Sequence, residues 1–185
     1  VYPCQSDGFH PIKSVFQTIS LHDRITFQIQ KKRECTITGE GLVLPSVQEN
    51  LLYKIYTELA DKIPFGLHIH LHKQIPISSG LGGASSNAAA LLLLLNEKAE
   101  WHYSVSELEV LSSNFGSDIP FFITNGTAYV SGKGEIIQSI SPWPSRYFIL
   151  IMPPIQSQTP LAYQAFDEQV IHNQRHERDL LTEKN

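Results

Sequence analysis

The most constraining stretch of this sequence is Pro76-Ile77-Ser78-Ser79-Gly80-Leu81-Gly82-Gly83-Ala84-Ser85-Ser86-Asn87. It stands between a strictly alternating run, residues 66–73, and an apolar run, residues 85–96. Alternation predicts a strand, and apolarity on nearly every side predicts a helix buried by its neighbours. Glycines at 80, 82 and 83 let the backbone between them approach a ligand closely and adopt conformations that a Cβ disfavours. The helix that follows offers unpaired N–H groups and the positive end of its dipole, so the junction is an anion site, most naturally for phosphate. Its serines add hydroxyls suited to phosphate oxygens or to the oxygen shell of Mg²⁺. Other glycine loops fit poorly. No lysine follows the glycines as G-x-x-x-x-G-K-[ST] requires, and Ser86 stands where a dinucleotide fingerprint needs its third glycine. The hydrolase pattern G-x-S-x-G is absent from the segment.

Around this junction the pattern is mixed. Residues 15–29 read as two strands separated by Leu21-His22-Asp23-Arg24, and Thr36-Ile37-Thr38 as a third that Gly39 and Gly41 close. Ser46 with Glu49 predicts a capping box for a helix bearing Leu51, Leu52, Ile55, Tyr56 and Leu59. Ser104 with Glu107 predicts another, for a helix bearing Val105, Leu108 and Leu111. Phe121-Phe122-Ile123, residues 127–130 and residues 135–140 read as short strands, Gly132-Lys133-Gly134 turning between the last two. Ser141-Pro142-Trp143-Pro144 is linker-like, after which residues 147–151 read as a buried strand and residues 160–169 as a helix. The expectation is an α+β domain over residues 1–145 and the beginning of a second over residues 146–185.

Composition narrows the class. Among 185 residues, 42% are hydrophobic and 17% charged, enough apolar material for a core and too little charge for a disordered chain. A net charge of -4 with no basic face argues against nucleic acid. The longest apolar run, residues 88–95, is far below the ~20 residues that span a bilayer. Cys4 and Cys35 read as free thiols, and the first residues lack a basic start and apolar centre, so a cytoplasmic or plastid-stromal protein that is not secreted is expected.

The glycine stretch resembles the central motif of the GHMP kinases, in which this loop wraps the ATP phosphates. Two flanking segments extend the resemblance. Phe115-Gly116-Ser117-Asp118-Ile119-Pro120-Phe121-Phe122 is similar to the family's G-[AS]-D-[VI]-P-F-F, which implies that Asp118 is the catalytic base. Ser6-Asp7-Gly8-Phe9-His10 resembles the D-G-[YF]-H signature of members that phosphorylate a cytidyl diphospho sugar alcohol. The resemblance implies that Phe9 stacks on cytosine while His10 reads its hydrogen-bonding edge. Gln158-Thr159-Pro160-Leu161-Ala162-Tyr163 resembles the segment whose aromatic closes the other side of the base, implying Tyr163 opposite Phe9 and Thr159 on the cytidine or its phosphates. Gly132-Lys133-Gly134-Glu135 resembles the family's turn after the Asp118 segment, which implies Lys133 near the substrate nucleotide; a solvated turn lysine is the equal alternative.

What the resemblance implies is a two-domain α+β kinase, with an N-terminal domain of ribosomal-protein type and a ferredoxin-like C-terminal domain. ATP with Mg²⁺ is the implied cofactor, held by residues 76–86, and a small molecule, not nucleic acid or membrane, is the partner. The family's opening P-[AG]-K-[IVL]-N strand and its closing glycine-rich loop do not occur in these residues, so the motif order predicts the middle of a longer kinase. Two alternatives stay open: a GHMP kinase for mevalonate- or homoserine-type substrates, and a nucleotide-binding module without catalysis. His68, His70 and His72 alternate along one strand face, a spacing that suits a metal. With Leu67, Ile69 and Leu71 opposite, they are expected to be the solvated side of a strand. His172 and His176 sit in a polar tail without an acidic partner pattern.

Overall fold

The computed structural model describes residues 1–6, 8–124, 126–142, 146–152 and 161–170. Asp7, Trp143, Pro144, Thr159, Pro160, His172 and His176, each singled out by the sequence, lie outside the described residues. In chain order the elements are β1 (Ile12–Gln17), β2 (Arg24–Gln30), β3 (Cys35–Gly41), α1 (Leu51–Glu58), β4 (Gly66–Lys73), α2 (Gly83–Lys98), α3 (Val105–Ser113), α4 (Ile119–Thr124), β5 (Thr127–Gly132) and β6 (Ile136–Ser139). A further helix, α5, covers residues 161–170. The architecture is α+β, with two three-stranded sheets.

One sheet has the order β2-β4-β3 and the other β1-β5-β6, so the two strands read from residues 15–29 belong to different sheets. Central β4 runs antiparallel to β2 and parallel to β3. Its two faces differ as the alternation predicts. Leu67, Ile69 and Leu71 are buried. His68, His70 and His72 are half-buried and bond to Thr36, Thr38 and Glu40 of β3. The buried face packs on α1 and α2 through Leu52, Ile55, Leu91, Leu92 and Leu95. Burying each such side chain contributes roughly 1.5–3 kcal/mol, which makes this cluster the main stabiliser of the floor under the glycine loop. A smaller cluster of Phe121, Ala128 and Val130 joins α4 to the second sheet, where Phe121 meets Phe16 of β1 edge-on at 5.3 Å.

Three local readings need correction. Residues 121–123 are helical, within α4, not a strand. Ile119, Pro120, Phe121 and Ile123 are all buried, so the segment shows no polar face, and periodicity cannot separate a short strand from a short helix there. Ser46 and Glu49 do not cap α1; their side chains bond to each other at 2.7 Å across a 3₁₀ turn, and Asn50 accepts from the Leu52 amide instead. Residues 147–151 form no strand, and Tyr147, Ile149 and Ile151 are exposed. Among the described residues this segment joins neither sheet. The capping box at Ser104 and Glu107 is present in full at the start of α3. No helix among the described residues is long and apolar enough to cross a membrane.

Candidate active site

The glycine stretch leaves the end of β4 and enters α2. Ser78, Gly80 and Gly82 take φ of 57°, 74° and 67°, so alternate residues of the loop lie in the left-handed region. Gly82 is the N-cap of α2, and no side chain caps the helix there. The amides of Gly83, Ala84 and Ser85 therefore start a 16-residue helix without an intrahelical or side-chain acceptor. That concentrates both the hydrogen-bonding need and the dipole of α2 on one point of the loop. Ser86 is drawn inward, its amide bonding to the Gly82 carbonyl and its hydroxyl donating to that of Gly83.

Two cavities meet at Gly80, Leu81 and Gly82. One, of about 420 Å³, is walled by Asn50, Lys73, Ser78, Ser79, Ser85 and Asn87 among others. The other, of about 450 Å³, has Gln17, Ser86, Asp118 and Phe122 in its lining, with Phe148 and Leu150 from the irregular segment beyond β6. The start of α2, at Gly83, Ala84 and Ser85, lines the first cavity and Asp118 the second, with Gly80, Leu81 and Gly82 between them.

Asp118 directly precedes α4. Its carboxyl is reachable from the cavity, yet the surrounding protein withdraws enough water to push its pKa above the ordinary carboxylate value, and a Ser117 hydrogen bond offsets part of that rise. The turn between β5 and β6 crowds it from above: a Cβ at Gly134 would stand 3.0 Å from Asp118 Oδ1. Gly134 has a φ of 122°, so the turn needs glycine there on both counts. A second glycine couples loop to base. A Cβ on Gly82 would fall 2.6 Å from Cζ of Phe122, four residues beyond Asp118. The glycine loop and α4 are therefore in direct contact.

The remaining candidates meet in two pairs. Lys133 Nζ lies 3.8 Å from the centroid of the Phe9 ring. Tyr163, from α5, stacks on His10 with centroids 4.5 Å apart, not on Phe9. His10 is nearly enclosed; its Nδ1 donates to the Tyr2 carbonyl at 3.0 Å, and its Nε2 is 3.3 Å from Asp167 Oδ2. Cys4, His10 and Asp167 bring ligand-type atoms within 4.8 Å of one another, a convergence that their separation in sequence hides.

Residues 50–126 match the model of the GHMP kinases N terminal domain, a span that runs from the cap of α1 past α4 and holds both the glycine loop and Asp118. Residues 50–126 are thus similar to the N-terminal domain of the GHMP kinases. Among curated proteins, it is 38% identical over 162 residues to 4-diphosphocytidyl-2-C-methyl-D-erythritol kinase of Pelotomaculum thermopropionicum, covering 86% of this chain and 56% of the relative. It is 36% identical over 172 residues to the protein of that name in Macrococcus caseolyticus, covering 92% and 61%. A crystal structure of 4-(cytidine 5'-diphospho)-2C-methyl-D-erythritol kinase superposes with a TM-score of 0.68 at 30% identity, covering 89% of this chain and 59% of that one. The chain thus spans between half and two thirds of the length of these relatives. Within the matched span, Gly80, Leu81, Gly82 and Ser86 line one cavity with Asp118, while Phe9, His10, Lys133 and Tyr163 lie outside that span. Sequence reasoning missed Gly134 and Lys73; the first was visible only as a turn glycine, the second as the last polar residue of an alternating strand.

Proposed function

We propose that this protein is an ATP-dependent kinase for the 2-hydroxyl of 4-diphosphocytidyl-2-C-methyl-D-erythritol, with residues 1–145 as its nucleotide-binding and catalytic domain and residues 146–185 as the start of a second. The observation that carries the reading is the uncapped N-terminus of α2, set in a loop of left-handed residues whose Gly80, Leu81, Gly82 and Ser86 line one cavity with Asp118. ATP phosphates would take the α2 amides and the loop backbone of residues 76–86. The substrate hydroxyl would enter beside Asp118. Its oxygen attacks the γ-phosphorus, the bond from that phosphorus to the β–γ bridging oxygen breaks, ADP leaves, and Asp118 accepts the hydroxyl proton. A raised pKa suits a group that must hold that proton, and such assistance is worth about 10²–10⁴-fold. Hard oxygen donors that fit Mg²⁺ line both cavities, the Ser85 hydroxyl in one and the Ser86 hydroxyl and Asp118 carboxylate in the other, and the ion would neutralise charge on the transferred group.

Substrate choice rests on Phe9, His10, Lys133 and Tyr163, with Thr159 as a further candidate. Phe9 is about half exposed and offers a flat face, and the Tyr163–His10 stack holds the imidazole in place. The names and identity of the relatives support a cytidyl substrate over the mevalonate and homoserine types. The test is ADP release by the full-length protein with 4-diphosphocytidyl-2-C-methyl-D-erythritol, mevalonate and homoserine at equal concentration. Turnover confined to the cytidyl substrate is expected. Turnover of either other substrate at a matching rate would refute the assignment.

A further inference from the structure

Behind the glycine loop lies a group that no part of the mechanism uses. The Asp23 side chain is wholly buried at the start of β2, and Lys73, the last residue of β4, is 6% exposed. Asp23 Oδ1 accepts from the amides of Gln74 and Ile75, at 2.7 and 2.8 Å. Asp23 Oδ2 accepts from Lys73 Nζ at 2.7 Å and from Asn87 Nδ2 at 2.8 Å. Lys73 Nζ also donates to the Ile75 carbonyl. One carboxylate is therefore bonded to both banks of the glycine loop: the backbone leaving β4 on one side, and the second turn of α2 on the other. The helix is pressed close to this group, since a Cβ on Gly83 would stand 2.9 Å from Ile75 Cγ2 and 3.2 Å from Lys73 Nζ.

A buried ion pair is a poor way to gain stability, because desolvating two charges offsets most of their attraction. It is an effective way to specify geometry. The loop it spans holds three residues in the left-handed region, one of them the non-glycine Ser78, and such conformations persist only where their surroundings over-determine them. Lys73 and Asn87 line the 420 Å³ cavity, and Asp23 stands behind them.

We infer that Asp23 is a positioning residue for the nucleotide: by tying Gln74, Ile75, Lys73 and Asn87 to one carboxylate, it fixes the separation of β4 and α2 and hence the loop shape that receives the ATP phosphates. The inference rests on the phosphate-loop reading proposed above and adds to it a residue remote in sequence from the loop. Asp23→Asn replaces Oδ2 or Oδ1 with a donor, which then faces either Lys73 and Asn87 or two backbone amides. Asp23→Glu keeps the charge opposite Lys73 while carrying the carboxylate one methylene too far. Misplacing a binding group by about 1 Å can cost up to 10²-fold.

The experiment measures ATP affinity of the full-length protein by titration, KM for the cytidyl substrate, and amide hydrogen exchange. Both variants should weaken ATP at least about tenfold and leave the KM of the other substrate within about twofold. Exchange should accelerate at residues 74–86 and stay slow at residues 66–72 and 91–98. Should Asp23→Asn fail to fold, Asp23→Glu carries the test alone. Unchanged ATP affinity, or exchange that accelerates equally across β4 and α2, would overturn the inference. Failure of the wild-type protein to bind ATP would instead overturn the phosphate-loop reading.

Discussion

Gly82→Ala is the substitution whose cost the structure defines best, because Gly80→Ala is its internal control. Both glycines have left-handed φ, 67° and 74°. Placing alanine in that region costs roughly 1–2 kcal/mol at either position. Beyond this they differ. A Cβ at Gly80 meets nothing within 4 Å, while at Gly82 it would stand 2.6 Å from Cζ and 2.8 Å from Cε2 of Phe122. Phe122 packs against Phe121 and both apolar clusters, so its ring cannot swing aside without disturbing the core. Overpacking of this kind costs about 1–3 kcal/mol. Gly80→Ala should therefore lose about 1–2 kcal/mol and Gly82→Ala about 2–5 kcal/mol, read from urea midpoints at constant slope. Adding Phe122→Leu to Gly82→Ala should recover part of the excess, since the two side chains would then couple. Equal losses at the two glycines, or strict additivity in the double variant, would refute the close approach of loop to catalytic helix.

Other consequences follow from burial. Because Asp118 has a raised pKa in the folded state, its contribution to stability is fully present below the unfolded value of 3.8 and is lost as pH rises through the folded one. Asp118→Asn should then be more stable than the native protein at pH 7, with the advantage vanishing below pH ~3.8, as thermal melts across pH will show. Cys35, whose thiol burial pushes up to about 11, should resist iodoacetamide at pH 8 while exposed Cys4 is modified, which peptide mass analysis distinguishes. Leu92→Ala, at a fully buried position between α2 and β4, should cost about 2–5 kcal/mol in denaturant unfolding.

Much of this was legible in the residues. β4 and α2 followed from alternation and unbroken apolarity, and the loop between them from its glycines, because these are local demands of backbone and burial. Asp118 was legible as a carboxylate caught between Gly-Ser and Ile-Pro. What the sequence hid was non-local. Nothing near Asp23 announces that its partners lie some fifty and more positions away in β4 and α2. The helical state of residues 119–124 was hidden because a segment buried on all sides has no periodicity to read. The resemblance implies Tyr163 opposite Phe9 across a base; that α5 also stacks Tyr163 on His10 is a contact decided by packing and not by spacing.

The proposed function turns on Asp118 taking the proton from a hydroxyl at the mouth of an ATP-phosphate loop. Its most direct test is single-turnover phosphoryl transfer from ATP to 4-diphosphocytidyl-2-C-methyl-D-erythritol by the full-length protein, native and Asp118→Asn, with ATP saturating. A fall of at least about 10²-fold in the rate of the chemical step, with ATP affinity within about twofold of native, is the predicted result. Transfer by Asp118→Asn at the native rate would contradict it.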